Sequence, residues 1–326
     1  NIKLNKIKQT KFVVTGGAGF VGSHLCEKIL SKFPNTYLII IDKLTYAGST
    51  KNLSKIYKDK RVKLIKADIM DFMNYEKYLK NANFAINVAA ESHVDNSFHS
   101  PIEFTKTNSL GAQIFFQTCI KHKVKKLIHI SSDEVYGENL NGFFKENNNL
   151  NPTNPYSASK AAAEMLINSY KYFYKKSVII IRSNNMYGVR QYPEKLISKT
   201  IVSFLKKQKM KIHGKGNNIR FYLSVNDFCH AVIKIISEKN NGVFNIGSDE
   251  YFTNNQIVKI ISKKMNIDFK KSVIYVKDRL YNDRRYGVDY NKLKKMGWYP
   301  KKNLIEELDK IIDWYSKNLS YFKKIR

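Results

Sequence analysis

Several residue types and features are scarce in this chain, and each scarcity argues against a class of protein. The 326 residues include 3 cysteines, 6 prolines and 2 tryptophans, and 27 acidic side chains stand against 57 basic ones. Cys26, Cys119 and Cys229 have neither disulfide nor metal-ligand spacing, so we expect reduced packing residues of a cytoplasmic protein and no bound metal. No run of about 18 or more apolar residues occurs, so we expect no transmembrane helix. Residues 1–11 are polar and lysine-rich and show no signal-peptide core.

The shortage of acidic residues leaves a formal net charge of +30, the balance expected of a nucleic-acid-binding protein. The basic residues are, however, nearly all lysine and are spread through every segment, which is typical of a solvated surface. We therefore predict no specific nucleic-acid partner. The positive field would still favour the approach of an anionic substrate such as a sugar nucleotide.

A glycine-rich turn lies between a predicted strand, residues 11–15, and a predicted helix, residues 23–31. A glycine motif between a strand and a helix predicts a dinucleotide-binding site. Gly16 allows the tight turn, Gly19 lets the backbone approach the pyrophosphate, and Gly22 lets the helix pack closely on the strand. The N-terminus of the helix would then direct free N–H groups toward the phosphates. The same turn adds two candidate contacts, Phe20 and Val21.

An acidic residue, Asp42, ends the second predicted strand, residues 37–41. A carboxylate about 20 residues beyond the glycines accepts hydrogen bonds from the adenosine ribose and repels a 2′-phosphate, which favours NAD over NADP. Lys43 beside it is a cation that could tolerate a 2′-phosphate, so NADP stays an alternative cofactor. Two further predicted strands, residues 62–67 and 83–90, end near more of the candidate contacts. The remaining predicted cofactor contacts are Lys43, Thr45, Asp68, Ile69, Ala89, Ala90 and Thr107.

Two adjacent carboxylates, Asp133 and Glu134, follow a fifth predicted strand, residues 126–131. Polar residues at the carboxyl end of such a strand lie where α/β proteins bind ligands. Consecutive extended residues point to opposite sides, so the two carboxylates can share one site only if the chain turns there. In a shared site one can act as an acid and the other as a base. The alternative is a solvated acidic turn.

Tyr156 and Lys160 lie four residues apart on a predicted helix, residues 155–174, and therefore on one face of it. A lysine ammonium beside a phenol is expected to lower the pKa of the tyrosine and make it a proton acceptor near neutral pH. Ser132, at the strand end, is a candidate donor to the same substrate oxygen. The predicted catalytic residues are thus Ser132, Asp133, Glu134, Tyr156 and Lys160.

The first half of the chain alternates predicted strands and helices, which indicates a parallel, doubly wound sheet. Beyond residue 182 the pattern changes to short strands between helices. We predict an α/β fold in which residues 1–182 form a Rossmann domain with the cofactor site and the catalytic residues. Residues 183–326 would form a smaller C-terminal substrate-binding lobe, with some segments returning to the first sheet.

The order of these motifs resembles the extended short-chain dehydrogenase/reductase family. Within it, three stretches resemble nucleotide-diphosphoglucose 4,6-dehydratases: Ala89-Ala-Glu-Ser-His-Val-Asp95, Ser132-Asp-Glu-Val-Tyr-Gly137 and Pro193-Glu-Lys-Leu-Ile197. The resemblance implies an activity that makes a 4-keto-6-deoxy sugar nucleotide for rhamnose or another deoxysugar, with NAD consumed and regenerated in each turnover. Tyr156 would take the proton of the glucose 4-hydroxyl, Glu134 would remove the C5 proton, and Asp133 would protonate the departing 6-hydroxyl. Lys160 would hold the tyrosinate and the nicotinamide ribose, and Ser132 would bind the 4-oxygen.

The resemblance also implies the substrate contacts. Arg220 and Arg279 would bind the diphosphate, since a guanidinium group matches phosphate oxygens. The stretch Tyr281-Asn282-Asp283-Arg-Arg-Tyr286 is more similar to UDP-glucose enzymes than to dTDP-glucose enzymes, so we predict UDP-glucose, with dTDP-glucose as the alternative. The other expected contacts are Ser132, Asn185, Glu194, Lys195, Leu196 and Asn282.

The family further implies a homodimer formed through the predicted helices at residues 101–122 and 155–174. The nearest alternative activity is that of a sugar-nucleotide 4-epimerase or decarboxylase, which needs the tyrosine and lysine but not the acid and base pair. A non-enzymatic alternative is an NAD-sensing or RNA-binding protein on the same fold, because the fold alone does not fix the function.

Overall fold

A computed structural model of the protein describes residues 9–238 and 240–322. The prediction of no signal peptide, made on residues 1–11, falls mostly outside this part of the chain. Among the described residues, no helix has both the length and the apolar character needed to cross a bilayer.

The secondary structure consists of twelve strands, eleven α-helices and shorter helical turns within the described residues. The strands are β1 (Thr10–Thr15), β2 (Thr36–Asp42), β3 (Val62–Lys66), β4 (Phe84–Asn87), β5 (Lys126–Ile130), β6 (Ser177–Ser183), β7 (Asn185–Tyr187), β8 (Met210–His213), β9 (Ile219–Ser224), β10 (Gly242–Ile246), β11 (Tyr251–Thr253) and β12 (Val273–Val276). The helices are α1 (Phe20–Lys32), α2 (Val94–His99), α3 (Pro101–Phe104), α4 (Ala112–Lys121), α5 (Pro155–Phe173), α6 (Leu196–Leu205), α7 (Val225–Ser237), α8 (Asn254–Lys264), α9 (Phe269–Ser272), α10 (Asn291–Lys295) and α11 (Leu304–Lys317). A π-helical stretch, Thr105–Gly111, joins α3 to α4, and the 3₁₀ turns are Thr50–Leu53, Phe72–Asn74, Glu76–Tyr78, Asp133–Tyr136 and Leu319–Phe322.

Seven strands form one parallel sheet in the order β10-β6-β5-β4-β1-β2-β3. Its central strands are apolar runs such as Val13-Val14 in β1, because side chains on both faces of a parallel sheet are buried. The strand order reverses between β1 and β4, and ligands bind beside such a switch point in doubly wound sheets. The predicted fold class is therefore confirmed.

Helices cover both faces of this sheet and bury two apolar cores. On one face, α1 and α7 contribute side chains such as Leu25, Ile29 and Phe228. On the other face, α4 and α5 contribute side chains such as Phe115 and Ile167. Each of these side chains stabilises the fold by roughly 1.5–3 kcal/mol through its removal from water. The two layers fix the strand ends, and so fix the loops that carry the polar residues.

The second half of the chain builds a smaller unit and also contributes to the large sheet. Strands β7, β9 and β11 form a three-stranded sheet, β8 pairs with β12, and α6, α8 and α11 enclose a third core. Strand β10 pairs with β6 at the edge of the seven-stranded sheet. The predicted boundary after residue 182 lies within β6, and the division into two domains stays a prediction.

Some local features of the structure were not predicted. The helix predicted at residues 101–122 contains the π-helical stretch Thr105–Gly111, a kind of turn that is frequent at functional sites. Strands β7 and β11 and helices α2 and α9 have six residues or fewer, too short for a periodic pattern to reveal.

Candidate active site

Two adjoining cavities open where strands of the large sheet end. The glycine-turn cavity, of about 260 Å³, is lined by the turn after β1 and the loops after β2 and β4. The carboxylate cavity, of about 270 Å³, lies between the turn after β5 and residues of the C-terminal half. Tyr156, Glu194 and Lys195 line both cavities. A ligand in one cavity would therefore meet a ligand in the other at Tyr156.

The structure gathers the predicted site residues into these two cavities. The glycine-turn cavity is lined by all the predicted cofactor contacts, Gly16, Gly19, Phe20, Val21, Gly22, Asp42, Lys43, Thr45, Asp68, Ile69, Ala89, Ala90, Thr107, Tyr156 and Lys160. The carboxylate cavity is lined by Asp133, Glu134 and Tyr156 and by all the predicted substrate contacts, Ser132, Asn185, Glu194, Lys195, Leu196, Arg220, Arg279 and Asn282.

The glycine turn leaves no room for side chains at two positions. Gly16 has a φ of +66°, and a Cβ there would lie 2.6 Å from the backbone nitrogen of Ala89. A Cβ on Gly22 would lie 2.1 Å from the carbonyl oxygen of Gly16. Helix α1 starts after Gly19 without a side-chain cap, so the donors of its first turn face the cavity unscreened by a side chain. This turn fits the pyrophosphate of a dinucleotide.

Asp42, at the end of β2, lies 8% exposed beside the glycine turn. Its two oxygens accept hydrogen bonds from the backbone nitrogens of Ala18, at 2.9 Å, and Leu44, at 2.8 Å. Burial raises the pKa of this carboxyl, and the two backbone bonds partly offset that effect. The ammonium of Lys43 lies 2.8 Å from the carboxylate of Asp68. Lys43, the cation that could have bound the 2′-phosphate of NADP, is thus already paired with Asp68. This pairing fits a cofactor whose ribose has no 2′-phosphate.

The two adjacent carboxylates reach one cavity because the chain turns, as the sequence requires. The 3₁₀ turn Asp133–Tyr136 begins at Ser132, whose hydroxyl accepts a hydrogen bond from the backbone nitrogen of Glu134 at 3.2 Å. Asp133 is 3% exposed and Glu134 is 8% exposed. Two buried carboxylates at one site are costly unless neighbours share a proton with them or donate to them.

Asp133 and Glu134 have different partners. Asn184 donates to Asp133 Oδ2 at 2.9 Å, and the Ser132 hydroxyl lies 3.2 Å from Asp133 Oδ1. Burial, followed by the neighbouring carboxylate of Glu134, raises the pKa of Asp133 to about 7. Asn154 donates to Glu134 Oε2 at 3.3 Å. Asp133 is consequently suited to carry a proton near neutral pH.

Tyr156 and Lys160 lie on the buried face of α5. Burial, followed by the carboxylate of Glu134, raises the pKa of the Tyr156 phenol. Burial sets the direction of this pKa here, and the predicted lowering by Lys160 stays a prediction. The Lys160 ammonium instead donates to the carbonyl oxygen of Ile130 at 2.5 Å, and burial lowers its pKa to about 8. Both residues line the glycine-turn cavity, and desolvation is the largest influence on the pKa of each.

The far end of the carboxylate cavity carries the two predicted diphosphate-binding arginines. Arg220 donates to Asn282 Oδ1 at 3.1 Å, and its guanidinium lies 4.7 Å above the ring of Tyr286. Arg279 forms an ion pair with Asp95, with Nε and Oδ1 2.5 Å apart. A diphosphate bound here would compete with Asp95 for Arg279.

Five residues around the predicted site were not foreseen from the sequence. Asn154 has a local signal, because it precedes Pro155 and forms a capping box with Ser157 at the start of α5. Asp95, Asp283 and Tyr286 lie in stretches that carry the family resemblance, but no role was predicted for them, and Asn184 lies in none of those stretches. The five are Asp95, Asn154, Asn184, Asp283 and Tyr286.

Comparison with known proteins places the chain in a family. The model of the family described as GDP-mannose 4,6 dehydratase matches residues 13–311. The chain belongs to this family. It is 38% identical to dTDP-D-glucose 4,6-dehydratase of Dictyostelium discoideum, over 96% of this chain and 83% of that protein. The resemblance to nucleotide-diphosphoglucose 4,6-dehydratases drawn from the sequence is confirmed.

A second relative has a different nucleotide in its name. The chain is 38% identical to the trifunctional UDP-glucose 4,6-dehydratase/UDP-4-keto-6-deoxy-D-glucose 3,5-epimerase/UDP-4-keto-L-rhamnose-reductase RHM1 of Arabidopsis thaliana. The match covers 94% of this chain and 47% of that protein, so the chain spans about half of this longer relative.

Solved structures agree with this assignment. The dTDP-glucose 4,6-dehydratase DesIV of Streptomyces venezuelae, with NAD and TYD bound, matches with a TM-score of 0.94 and 32% identity, over 97% of this chain and 100% of that one. A UDP-glucose 4-epimerase of Thermotoga maritima matches with a TM-score of 0.86 and 30% identity, over 95% and 100% of the two chains. The fold is thus shared with epimerases, and only the site can distinguish the two activities.

Proposed function

We propose that the protein is an NAD-dependent sugar-nucleotide 4,6-dehydratase. It converts UDP-glucose, or dTDP-glucose, to the 4-keto-6-deoxy sugar nucleotide and water. The observation that carries this proposal is the placement of Asp133 and Glu134 in the same cavity as Tyr156. Elimination needs an acid for the departing hydroxyl and a base for the neighbouring proton, whereas epimerisation at C4 needs neither.

The glycine-turn cavity is the proposed cofactor site. Gly16 and Gly22 would let the pyrophosphate reach the start of α1, and Asp42 would accept from the adenosine ribose. NAD held by these residues would supply the hydride acceptor for oxidation at C4 and the hydride donor for reduction at C6.

The oxidation step depends on Tyr156, Lys160 and Ser132. Tyr156 lines both cavities, so its phenol oxygen can take the proton of the 4-hydroxyl at their junction. The group that takes this proton is the phenolate form of Tyr156, which Lys160, buried in the glycine-turn cavity, would stabilise by its positive charge. Ser132 would donate a hydrogen bond to the 4-oxygen.

The elimination step depends on the two carboxylates. Once C4 is a ketone, the C5 proton is acidic, and Glu134 would remove it. Asp133, whose pKa is raised to about 7, would protonate the departing 6-hydroxyl as water. Glu134 would later return a proton to C5. The separate hydrogen-bond partners of the two groups, Asn154 and Asn184, keep these roles apart.

The substrate contacts line the rest of the carboxylate cavity. Arg220 and Arg279 would bind the diphosphate. Asn185 is a further proposed contact, since its Nδ2 is buried without a hydrogen-bond partner among the described residues. The sequence Tyr281-Asn282-Asp283 favours uridine over thymidine as the base. The net charge of +30 would favour the approach of either dianionic substrate.

We also infer a homodimer through the surface of α3 and α5. Apolar side chains on these helices are largely exposed, with Ile102 at 66%, Met165 at 64% and Phe173 at 86%. These exposed apolar side chains support an interface on this surface. Sedimentation at several protein concentrations tests the dimer.

The three buried free cysteines fit the reducing environment of the cytoplasm, where we expect the protein to act.

Mass spectrometry of products tests the function. The protein is incubated separately with UDP-glucose and with dTDP-glucose, each with NAD. A dehydratase gives a product lighter by one water, whereas a 4-epimerase gives a product of unchanged mass. A decarboxylase would act on neither compound, since neither carries a carboxyl group. Faster turnover of UDP-glucose would support the proposed base, and faster turnover of dTDP-glucose would reverse it.

A further inference from the structure

Tyr286 lies between two buried carboxylates, one in the proposed machinery and one outside it. Its hydroxyl is 3.5 Å from Glu134 Oε2 and forms a short hydrogen bond with Asp283 Oδ2. Tyr286 is 4% exposed and Asp283 is 2% exposed. Glu134 comes from the turn after β5, whereas the other two residues come from the loop after β12. The second half of the chain thus supplies a hydroxyl and a carboxylate beside the proposed C5 base, in the wall of the carboxylate cavity.

The Tyr286 hydroxyl has one proton for two carboxylates. Burial, followed by Glu134, raises the pKa of Tyr286 well above its usual value, so the phenol keeps its proton. That proton can be donated to one carboxylate only, and Asp283 is the closer one. Toward Glu134 the phenol oxygen presents lone pairs, which suit a carboxyl group that has gained a proton. The arrangement is therefore complementary to Glu134 after it has taken a proton.

The carboxylate of Asp283 can accept more hydrogen bonds than the described residues donate to it. Its Oδ2 accepts from Tyr286 and from the Thr153 hydroxyl, the latter at 2.7 Å. Its Oδ1 is buried and has no hydrogen-bond partner among the described residues. A buried carboxylate oxygen without a donor is costly, and a proton added to the group would relieve that cost.

Thr153, whose hydroxyl is bonded to Asp283, is the member of this hydrogen-bonded series that lies near the surface. It lies in the loop before α5 and is only partly buried. Its hydroxyl rotates and can both donate and accept. Glu134, Tyr286, Asp283 and Thr153 thus form an unbroken series of oxygen atoms from the carboxylate cavity to a residue that water can reach.

We propose that Tyr286 and Asp283 form a proton relay through which the proton taken from C5 by Glu134 exchanges with solvent while the sugar occupies the carboxylate cavity. This inference rests on the proposed dehydratase function. A sugar nucleotide in the carboxylate cavity would displace water from Glu134, and the hydrogen-bonded series through Tyr286, Asp283 and Thr153 would keep a path from its carboxyl group to solvent.

The transfer balances atom by atom. The O–H bond of protonated Glu134 breaks as a new O–H bond forms at Tyr286, whose own proton passes to Asp283. Glu134 is again a carboxylate, Tyr286 again a neutral phenol, and Asp283 a carboxylic acid. Asp283 then gives its proton to the Thr153 hydroxyl, which releases its own proton to water. The reverse sequence brings a solvent proton to Glu134 for return to C5. Tyr286 and Asp283 are positioning residues in this scheme, because only Glu134 touches the reacting carbon.

Solvent-isotope incorporation tests the relay. The wild type, Tyr286→Phe, Asp283→Asn and Thr153→Val convert the sugar nucleotide in D₂O, and the deuterium at C5 of the product is measured by mass spectrometry and NMR. We expect loss of C5 deuterium in all three variants, with the substrate's own C5 hydrogen retained instead. The fall in kcat should stay below the roughly 10²-fold or greater loss expected for removing the base itself.

Tyr290→Phe is the matched control. Tyr290 is also 4% exposed and its hydroxyl also bonds a carboxylate, Asp249 at 2.7 Å, but it does not line the carboxylate cavity. It should incorporate deuterium as the wild type does.

Two outcomes have separate meanings. If the wild type makes the 4-keto-6-deoxy product and the variants turn over slowly with undiminished deuterium, Tyr286 only holds Glu134 in place and the relay is overturned. If the wild type makes no such product, the proposed function itself fails. Should Tyr286→Phe or Asp283→Asn not fold, the partly exposed Thr153→Val decides the question by the same measurement.

Discussion

The guanidinium group of Arg182 is bound by the carboxylate of Glu164, with Nη2 and Oε2 2.6 Å apart and both side chains buried. Arg182 also donates to the hydroxyl of Tyr136 at 2.7 Å, at the end of the turn that begins with Asp133. Glu164 follows Lys160 by one turn of α5. The ion pair therefore joins the turn that carries Asp133 and Glu134 to helix α5, which carries Tyr156 and Lys160.

Glu164→Gln should destabilise the protein strongly. The substitution leaves the buried guanidinium of Arg182 without an opposite charge, which costs roughly 3–5 kcal/mol in the free energy of unfolding. Urea denaturation measures this loss. The control is Glu103→Gln, which breaks the exposed pair with Lys106 and should cost about 0–1 kcal/mol. An equal decrease in the free energy of unfolding in the two variants would show that the buried ion pair stabilises the protein no more than the exposed one.

Tyr156→Phe should stop the reaction at its first step. The ring remains, but the oxygen that would take the proton of the 4-hydroxyl is gone. Loss of such a base should lower kcat by about 10²–10⁴-fold. The absorbance of reduced nicotinamide after mixing with substrate reports the step directly, and none should appear. Turnover within a few-fold of the wild type would rule out Tyr156 as the base.

Glu134→Gln should separate oxidation from elimination. Tyr156, Lys160 and Ser132 are unchanged, so the 4-ketone should still form and reduced nicotinamide should accumulate. Glutamine keeps the shape of the side chain but cannot take the C5 proton, so exchange at C5 in D₂O and loss of water should both disappear. A 4-keto-6-deoxy product formed at the wild-type rate would reduce Glu134 to a turn residue, and the dehydratase proposal would then be withdrawn.

Asp133→Asn should stabilise the protein, and more so at higher pH. The folded protein holds the Asp133 proton up to a pH of about 7, whereas the unfolded chain releases it near the ordinary value of 3.8. Stability from this group is therefore complete below the lower pH and lost as the pH rises through about 7. Asparagine does not titrate, so the gain should grow between these pH values to a few kcal/mol, roughly, and then level off. Urea denaturation across this pH range measures the gain, and an equal difference at every pH would contradict the raised pKa.

NAD should bind more tightly than NADP, as measured by calorimetry. The carboxylate of Asp42 would repel a 2′-phosphate, so Asp42→Asn should narrow the difference between the two cofactors. Lys43→Ala is the comparison variant, because Lys43 is paired with Asp68 and should change the preference less. Tighter binding of NADP than NAD by the wild type would contradict the assignment of Asp42.

The features that the sequence revealed are local ones. The glycine turn, the carboxylates after β5 and the Tyr156–Lys160 spacing each lie within a few residues, and local sterics and helix periodicity fix their geometry. Tyr286, which is bonded to Asp283, reaches Glu134 from 152 residues farther along the chain, and its approach depends on how the second half packs. The raised pKa of Tyr156 escaped prediction for a related reason, since burial is a property of the whole fold.

The position of β10 has a consequence for synthesis of the protein. When β6 has left the ribosome, one edge of the sheet is still an unpaired, isoleucine-rich strand, because its neighbour spans Gly242–Ile246. Such an edge pairs readily with other chains. A nascent chain ending near residue 182 therefore needs protection from aggregation, and a fragment cut there should be insoluble when expressed alone. The seven-stranded sheet is complete only after the ribosome has made β10, well into the second half of the chain.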